Sequence, residues 1–309
     1  MITEVRAGKL VFEHALVMGA GCCKTLADIV KASTSAVSGM ELGTISKKML
    51  SGNQGDNFYA HFVRGVLIFT QNSLGMPNPG KDAVEAFAKE AIAIAHAHNK
   101  LIGINVAGDT PDELIEMVRW AVGLGFDWIT INPACPNKFI DGNPASIFYY
   151  DMSDVRFFLR ELDGFLNGHD TEIWWKMTPD NNTLDYQLKM VDLVSKCSAV
   201  TGLVANNTVP HTLAYDAHFK PSITMRFGGM GGPAVMPKAL ADIARFKERF
   251  GDRFVLVGAG GCTYGKDILD FQHAGADIIQ ATSAYWASGM NLQVYGDILS
   301  EYIDLLNAG

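Results

Sequence analysis

"LIGINVAGDTPDELIEMVRWAVGLGFDWITIN", residues 101–132, decides the fold. It opens on a short β-rich apolar run, turns polar through "AGDT", continues as an amphipathic helix and closes on a second apolar run, "WITIN". The helix carries its own start signal. Thr110 stands at the N-cap, Pro111 at the first helical position, where a missing N–H costs nothing, and Glu113 at the position that completes a capping box. Strand, helix and strand in one short span make the βαβ unit of a parallel sheet.

The same alternation fills the chain. Strands are expected at residues 15–19, 36–42, 101–106, 128–132, 172–177, 200–205, 254–258 and 277–281, each followed by a helical pattern, from "TLADIVKAST" (25–34) to "NLQVYGDILSEYIDLL" (291–306). Eight such units predict an α/β fold of the TIM (β/α)8 type. No Pro/Ser-rich linker or composition shift divides residues 1–309, so one domain is expected. A doubly wound open sheet needs G-x-G-x-x-G after its first strand, and "GAGCCK" (19–24) supplies only G-x-G. The second connection, residues 43–79, is too long for a plain loop and is expected to cover the C-terminal mouth of the barrel. Within it, "FVRGVLIF" (62–69) reads as packing.

Composition narrows the function. Hydrophobic residues make up 48% and charged residues 19%, as in a soluble chain with a large core. The 25 basic and 33 acidic residues give a net charge of −8 with no Lys/Arg run, which argues against nucleic acid or an anionic membrane as partner. The start lacks the apolar run of a signal peptide and no stretch is long enough to insert in a membrane, so a cytoplasmic protein is expected. Five scattered cysteines without a Cys-x-x-Cys pair point to free thiols and to no metal site.

Barrel chemistry sits at the C-terminal ends of the strands. There the sequence places Lys24, Thr44, Asn105, Asn132, Cys135, Lys176, Asn206, Asn207 and Thr208, with Asn72 and Asn78 from the long connection and Asn137 beyond the fourth strand. Amides donate and accept, so this set suits a neutral heterocycle with alternating C=O and N–H groups. "FGGMGG" (227–232), "GAGG" (258–261) and "ATS" (281–283) lie where barrels bind phosphate, although glycines also serve simply as turns. Cys197 and Cys262 read as small hydrophobes. Cys135 lies past the strand end between Ala134 and Pro136, where it is either such a hydrophobe or, with an ordinary pKa of about 8.5, a base for a carbon acid. Lys176, among "IWWKM", reads as inward-facing rather than snorkelling to solvent. His96 and His98, two apart on a helix, do not share a face. Glu41 reads as closing a strand end with a salt bridge.

Six segments then fall in one familiar order. "QNSLGMPNPG" (71–80), "INPACPN" (131–137), "WWKMTP" (174–179), "ANNT" (205–208), "FGGMGG" and "GAGG" resemble those of the FMN-dependent dihydroorotate dehydrogenases, over nearly the whole chain. The resemblance implies a barrel holding FMN. It implies that Cys135 removes the C5 proton of dihydroorotate while C6 passes hydride to flavin N5. Asn72, Asn132, Asn137, Asn207 and Thr208 would hold the ring beside Leu74, Gly75 and Met76, and Lys176 would lie near flavin N1. Gly232, Gly260, Gly261, Ala281 and Thr282 match the phosphate side. "AGCCK" (20–24), "MELGTIS" (40–46) and "GINVAGDTP" (103–111) are similar to class 2 members, placing Lys24 on the substrate carboxylate and Ala20, Gly21, Thr44, Asn105 and Asn132 on FMN. A cysteine base belongs instead to the soluble class 1.

That mosaic leaves the electron acceptor open among fumarate, quinone and NAD reached through an electron-transfer subunit. Class 1 relatives imply a homodimer. The loop 138–151 is expected to shield Cys135 once substrate binds. Three alternatives remain: an FMN enzyme for another dihydropyrimidine, a lyase or aldolase barrel in which Lys176 forms a Schiff base, and a non-catalytic barrel that binds a nucleotide or serves as a structural partner.

Overall fold

Eight short, almost wholly buried strands close on themselves. The computed structural model describes residues 4–133, 139–140, 143–144, 148–166, 169–178 and 184–308. The strands are β1 (Leu16–Cys23), β2 (Gly39–Ile45), β3 (Leu101–Val106), β4 (Trp128–Ile131), β5 (Glu172–Lys176), β6 (Gly202–Val204), β7 (Val255–Ala259) and β8 (Ile278–Ala281). Each pairs in parallel with the next, and β8 pairs with β1 through Ile279 and Leu16, so the sheet is a TIM barrel. Around it run α1 (Leu26–Ser33), α2 (Lys81–Ala97), α3 (Pro111–Leu124), α4 (Met152–Leu166), α5 (Leu184–Val194), α6 (Met236–Phe250), α7 (Gly265–Ala274), α8 (Ser283–Ala287) and α9 (Gln293–Ala308). All eight expected strands form, and their buried outer faces explain why they read as apolar runs rather than as alternations.

Helix α3 shows how local chemistry sets an element. Thr110 Oγ1 accepts from Glu113 N at 3.2 Å, Pro111 opens the helix and Gly125, at φ 82°, ends it. The Glu113 carboxylate reaches back one residue further than a standard box, accepting from Asp109 N at 2.9 Å.

The N-terminal end of the barrel is plugged. An antiparallel hairpin, Val5–Ala7 with Leu10–Phe12, brings Phe12 against Trp128, whose indole stacks on Trp174 with ring centroids 4.9 Å apart. Gly103 and Gly202 make room for the two indoles, because a Cβ at either would overlap them. Opposite, the second connection is not a loop. Phe58–Val63 and Val66–Asn72 form a hairpin that joins Phe227–Gly231 and Val209–Leu213, from the connection after β6, in a four-stranded antiparallel sheet. Residues 70–72 thus gain strand partners 157 to 161 positions along, at Gly229, Met230 and Gly231, which local pattern does not reveal. "FVRGVLIF" is not all packing either: Phe62, Val63, Val66 and Ile68 are exposed on this hairpin.

Candidate active site

The C-terminal mouth opens into a cavity of about 200 Å³. Strand β1 reaches it through a slip in its ladder with β2 between Met18 and Cys23, which turns Ala20 and Gly21 toward the cavity ahead of Lys24. Gly21 has φ +99°, and a Cβ built on it meets no atom within 4 Å, so the wall there is bare backbone facing open space. Strand β2 contributes Thr44, and the second connection contributes Phe58, Thr70, Asn72, Leu74, Gly75 and Met76. Asn132 follows β4 and Lys176 ends β5; Asn206, Asn207 and Thr208 follow β6. Gly260 and Gly261 follow β7, while Gln280, Thr282, Ser283 and Trp286 come from β8 and α8.

Two features define the chemistry of this wall. Lys24 and Lys176 bring cationic groups, and no carboxylate or histidine is found among the described lining residues. An anionic ligand is favoured. Second, several deeply buried polar atoms lack a protein partner: Asn132 Oδ1, both amide atoms of Asn206 and Thr208 Oγ1 in the wall and, outside it, Asn105 Oδ1, Thr178 Oγ1 and the Trp174 and Trp175 indole N–H groups. Buried polar atoms are almost always hydrogen-bonded, so a cluster of orphans at one barrel mouth marks the surface that a polar ligand satisfies. Other amide atoms of the same wall have partners, Asn132 Nδ2 reaching Thr44 Oγ1 at 3.4 Å and Asn207 Oδ1 accepting from Thr208 N at 2.9 Å.

The profile of the family described as "Dihydroorotate dehydrogenase" matches residues 3–306. The chain belongs to the dihydroorotate dehydrogenase family. It is 27% identical over 271 residues to the catalytic subunit of dihydroorotate dehydrogenase B (NAD(+)) of Methanopyrus kandleri, covering 85% of this chain and 77% of that one. It is 25% identical over 289 residues to dihydroorotate dehydrogenase (quinone) of Delftia acidovorans, covering 90% and 80%. It is also 25% identical over 305 residues to dihydroorotate dehydrogenase (fumarate) of Kluyveromyces lactis, covering 96% and 90%.

For a dihydroorotate dehydrogenase the geometry sorts the sequence expectations. Lys24, Asn72, Leu74, Gly75, Met76, Asn132, Asn207, Thr208, Ala20, Gly21, Thr44, Lys176, Gly260, Gly261 and Thr282 line one cavity. Cys135 and Asn137 lie outside the described residues. Gly232 and Ala281 are buried behind the wall, the Ala281 carbonyl being taken by the Tyr295 hydroxyl at 2.9 Å. Asn105 also lies beneath the wall. Asn78 is a structural clamp, accepting from Ser46 N and Gly80 N and donating to Met76 O, so it holds the second connection rather than the ligand surface. Asn206, read only as a strand-end amide, is the most under-satisfied side chain in the wall; its signal was its place directly after β6. Gln280 and Trp286 gave no sequence signal, being a strand residue and a helix residue that tertiary contact brings inward.

The described thiols are poor bases. Burial pushes Cys22 up to about 12 and Cys197 up to about 11, and raises Cys23 and Cys262 well above the ordinary range. No helix among the described residues is long and apolar enough to cross a membrane.

Proposed function

We propose that the protein oxidises dihydroorotate to orotate, as a step of pyrimidine (UMP) biosynthesis, with FMN held at the barrel mouth. The observation that carries this reading is the cavity wall itself, where two lysines and a set of unpartnered amide and hydroxyl atoms converge in a chain matched by the family over residues 3–306. A planar ring with alternating C=O and N–H groups satisfies an amide such as Asn206 on both its donor and its acceptor side. The Lys24 ammonium suits the substrate carboxylate, while Asn72, Asn132, Asn137, Asn207 and Thr208 orient the ring, fixing the C5 and C6 hydrogens relative to base and acceptor.

Bound FMN supplies the hydride acceptor for C6. The Cys135 thiolate takes the C5 proton, and the electron pair left on C5 forms the new C5–C6 double bond as hydride departs. This role, like that of Asn137, rests on the resemblance of "INPACPN". The Lys176 ammonium stabilises negative charge that builds on the acceptor ring. Backbone N–H groups around Gly260, Gly261 and Thr282 favour a phosphate. The protein would act as a single-domain, cytoplasmic homodimer; the relatives' names span NAD, quinone and fumarate, and the acceptor, with or without an electron-transfer subunit, is one of these.

Anaerobic titration is the test. The purified protein should be yellow, and dihydroorotate should bleach the flavin band without added acceptor. A colourless protein that takes up no FMN would sink the reading, and reduction by another dihydropyrimidine alone would reassign the substrate. Cys135→Ser should keep FMN but slow flavin reduction, most severely near neutral pH; unchanged kinetics would remove Cys135 from the reaction.

A further inference from the structure

Glu41 does not close a strand end with a salt bridge. Its side chain is fully buried inside the barrel, where five neutral donors converge on it. Ala20 N donates to Oε2 at 3.1 Å, and Asn105 Nδ2 and Gln280 Nε2 donate to the same oxygen at 3.4 Å. Trp128 Nε1 donates to Oε1 at 3.2 Å, and the Thr130 hydroxyl donates to that oxygen as well. One side chain on β2 thus ties together β1, β3, β4 and β8.

Two of these bonds bear directly on the cavity. The Ala20 N–H lies in the stretch where the β1–β2 ladder slips, so Glu41 replaces a ladder carbonyl and holds the bulge that offers Ala20 and Gly21 to the ligand. Both carboxyl oxygens act only as acceptors here, and the Asn105 and Gln280 amides turn their NH2 groups toward them. That leaves Asn105 Oδ1, which is buried and without a partner, as a fixed acceptor. Ala20 and Gln280 themselves line the cavity, which places the carboxyl one hydrogen bond behind the wall at two points.

We propose that Glu41 is a positioning residue of the cofactor site, locking the β1 bulge and the Gln280 amide in the cavity wall, with the Asn105 amide braced beneath them, and setting a negative charge behind the wall that opposes charge build-up on the reduced flavin. The inference rests on the FMN reading above. Glutamine at this position keeps the shape but offers an NH2 where only acceptors stood, so either the two donors on Oε1 or the three on Oε2 face another donor, and the Asn105 amide is free to flip.

Glu41→Gln, Glu41→Asp and the wild type would be compared by apo-protein titration with FMN, by flavin reduction potential and by thermal unfolding. For Glu41→Gln the expected result is a roughly tenfold weaker FMN affinity. Its potential should shift upward by about 30 mV, the equivalent of tenfold for a two-electron couple. Glu41→Asp keeps the charge but draws it back from Asn105 and Gln280. It should bind FMN more weakly at a nearly unchanged potential, and it serves as the test if the glutamine variant does not fold. Combining Glu41→Gln with Asn105→Leu should cost less than the sum of the two, since the first acts through the second. A wild type that binds FMN and is reduced by dihydroorotate, beside variants with unchanged affinity and potential, overturns the role of Glu41 alone. A wild type that takes up no flavin overturns both readings.

Discussion

Gly21→Ala separates folding from ligand binding. At φ +99° any residue with a Cβ is strained, at a cost of about 1–2 kcal/mol. The added methyl meets no protein atom within 4 Å, so no packing penalty adds to that strain. Urea unfolding of the apo-protein should therefore show a loss of only about 1–2 kcal/mol. The methyl stands at the cavity wall, and an extra methyl forced into a packed contact costs about 1–3 kcal/mol. Since about 1.4 kcal/mol is tenfold in affinity, FMN should bind roughly 5- to 150-fold more weakly. Gly261→Ala is the contrast: φ is +110° and the new Cβ would lie 2.5 Å from Met236 Cβ, so it should destabilise the apo-protein clearly more. Fluorescence titration with FMN and urea denaturation read the two quantities separately. An FMN affinity unchanged in Gly21→Ala would refute contact between this wall and the cofactor. A stability loss as large as that of Gly261→Ala would refute the open space at Gly21.

Other outcomes follow from charge and packing. Lys176→Met removes a cavity ammonium and should slow flavin reduction by dihydroorotate roughly a hundredfold while FMN still binds, as measured by anaerobic stopped flow; an unchanged rate would take Lys176 out of charge stabilisation. His14 is buried, and desolvation lowers it from 6.5 to about 4. Its folded pKa lies below its unfolded one, so the unfolded chain binds more protons between these values and stability falls as pH drops from about 6.5 to about 4. The loss should reach roughly 3 kcal/mol at the acid end. His14→Gln should flatten that part of a urea-midpoint profile, and an identical profile would count against the assignment. Phe12→Ala empties the N-terminal plug over Trp128 and should cost about 3–5 kcal/mol of stability. FMN affinity measured below its unfolding temperature should be unchanged, because the plug lies at the opposite end of the barrel.

The barrel was legible because each βα unit is written locally. Apolar runs bury both faces of each strand, and helices such as α3 carry their caps in sequence, so eight units could be counted without knowing a contact. The four-stranded sheet over the mouth was not legible. Its hairpin Phe58–Val63 and Val66–Asn72 finds its partner strand in Phe227–Gly231, and pairing across such a separation leaves no mark in either segment. Site residues divide the same way. Lys24, Asn132, Lys176 and Asn207 stand at strand ends, and strand ends are readable. Asn78 was misread because an amide in a loop looks the same whether it faces a ligand or clamps the backbone.

By itself the sequence determined the number and order of βα units, the polar character of the strand ends, and the family motifs. Local periodicity, capping and residue chemistry are properties of neighbouring positions. Only the tertiary structure decided that Glu41 sits at the hub of Ala20, Asn105, Trp128, Thr130 and Gln280, and that Asn206 rather than Asn78 presents an unsatisfied amide to the cavity. Which donors a buried carboxyl meets depends on barrel closure and on the stagger of strands whose residues lie 21 to 239 positions apart, and no spacing along the chain encodes it.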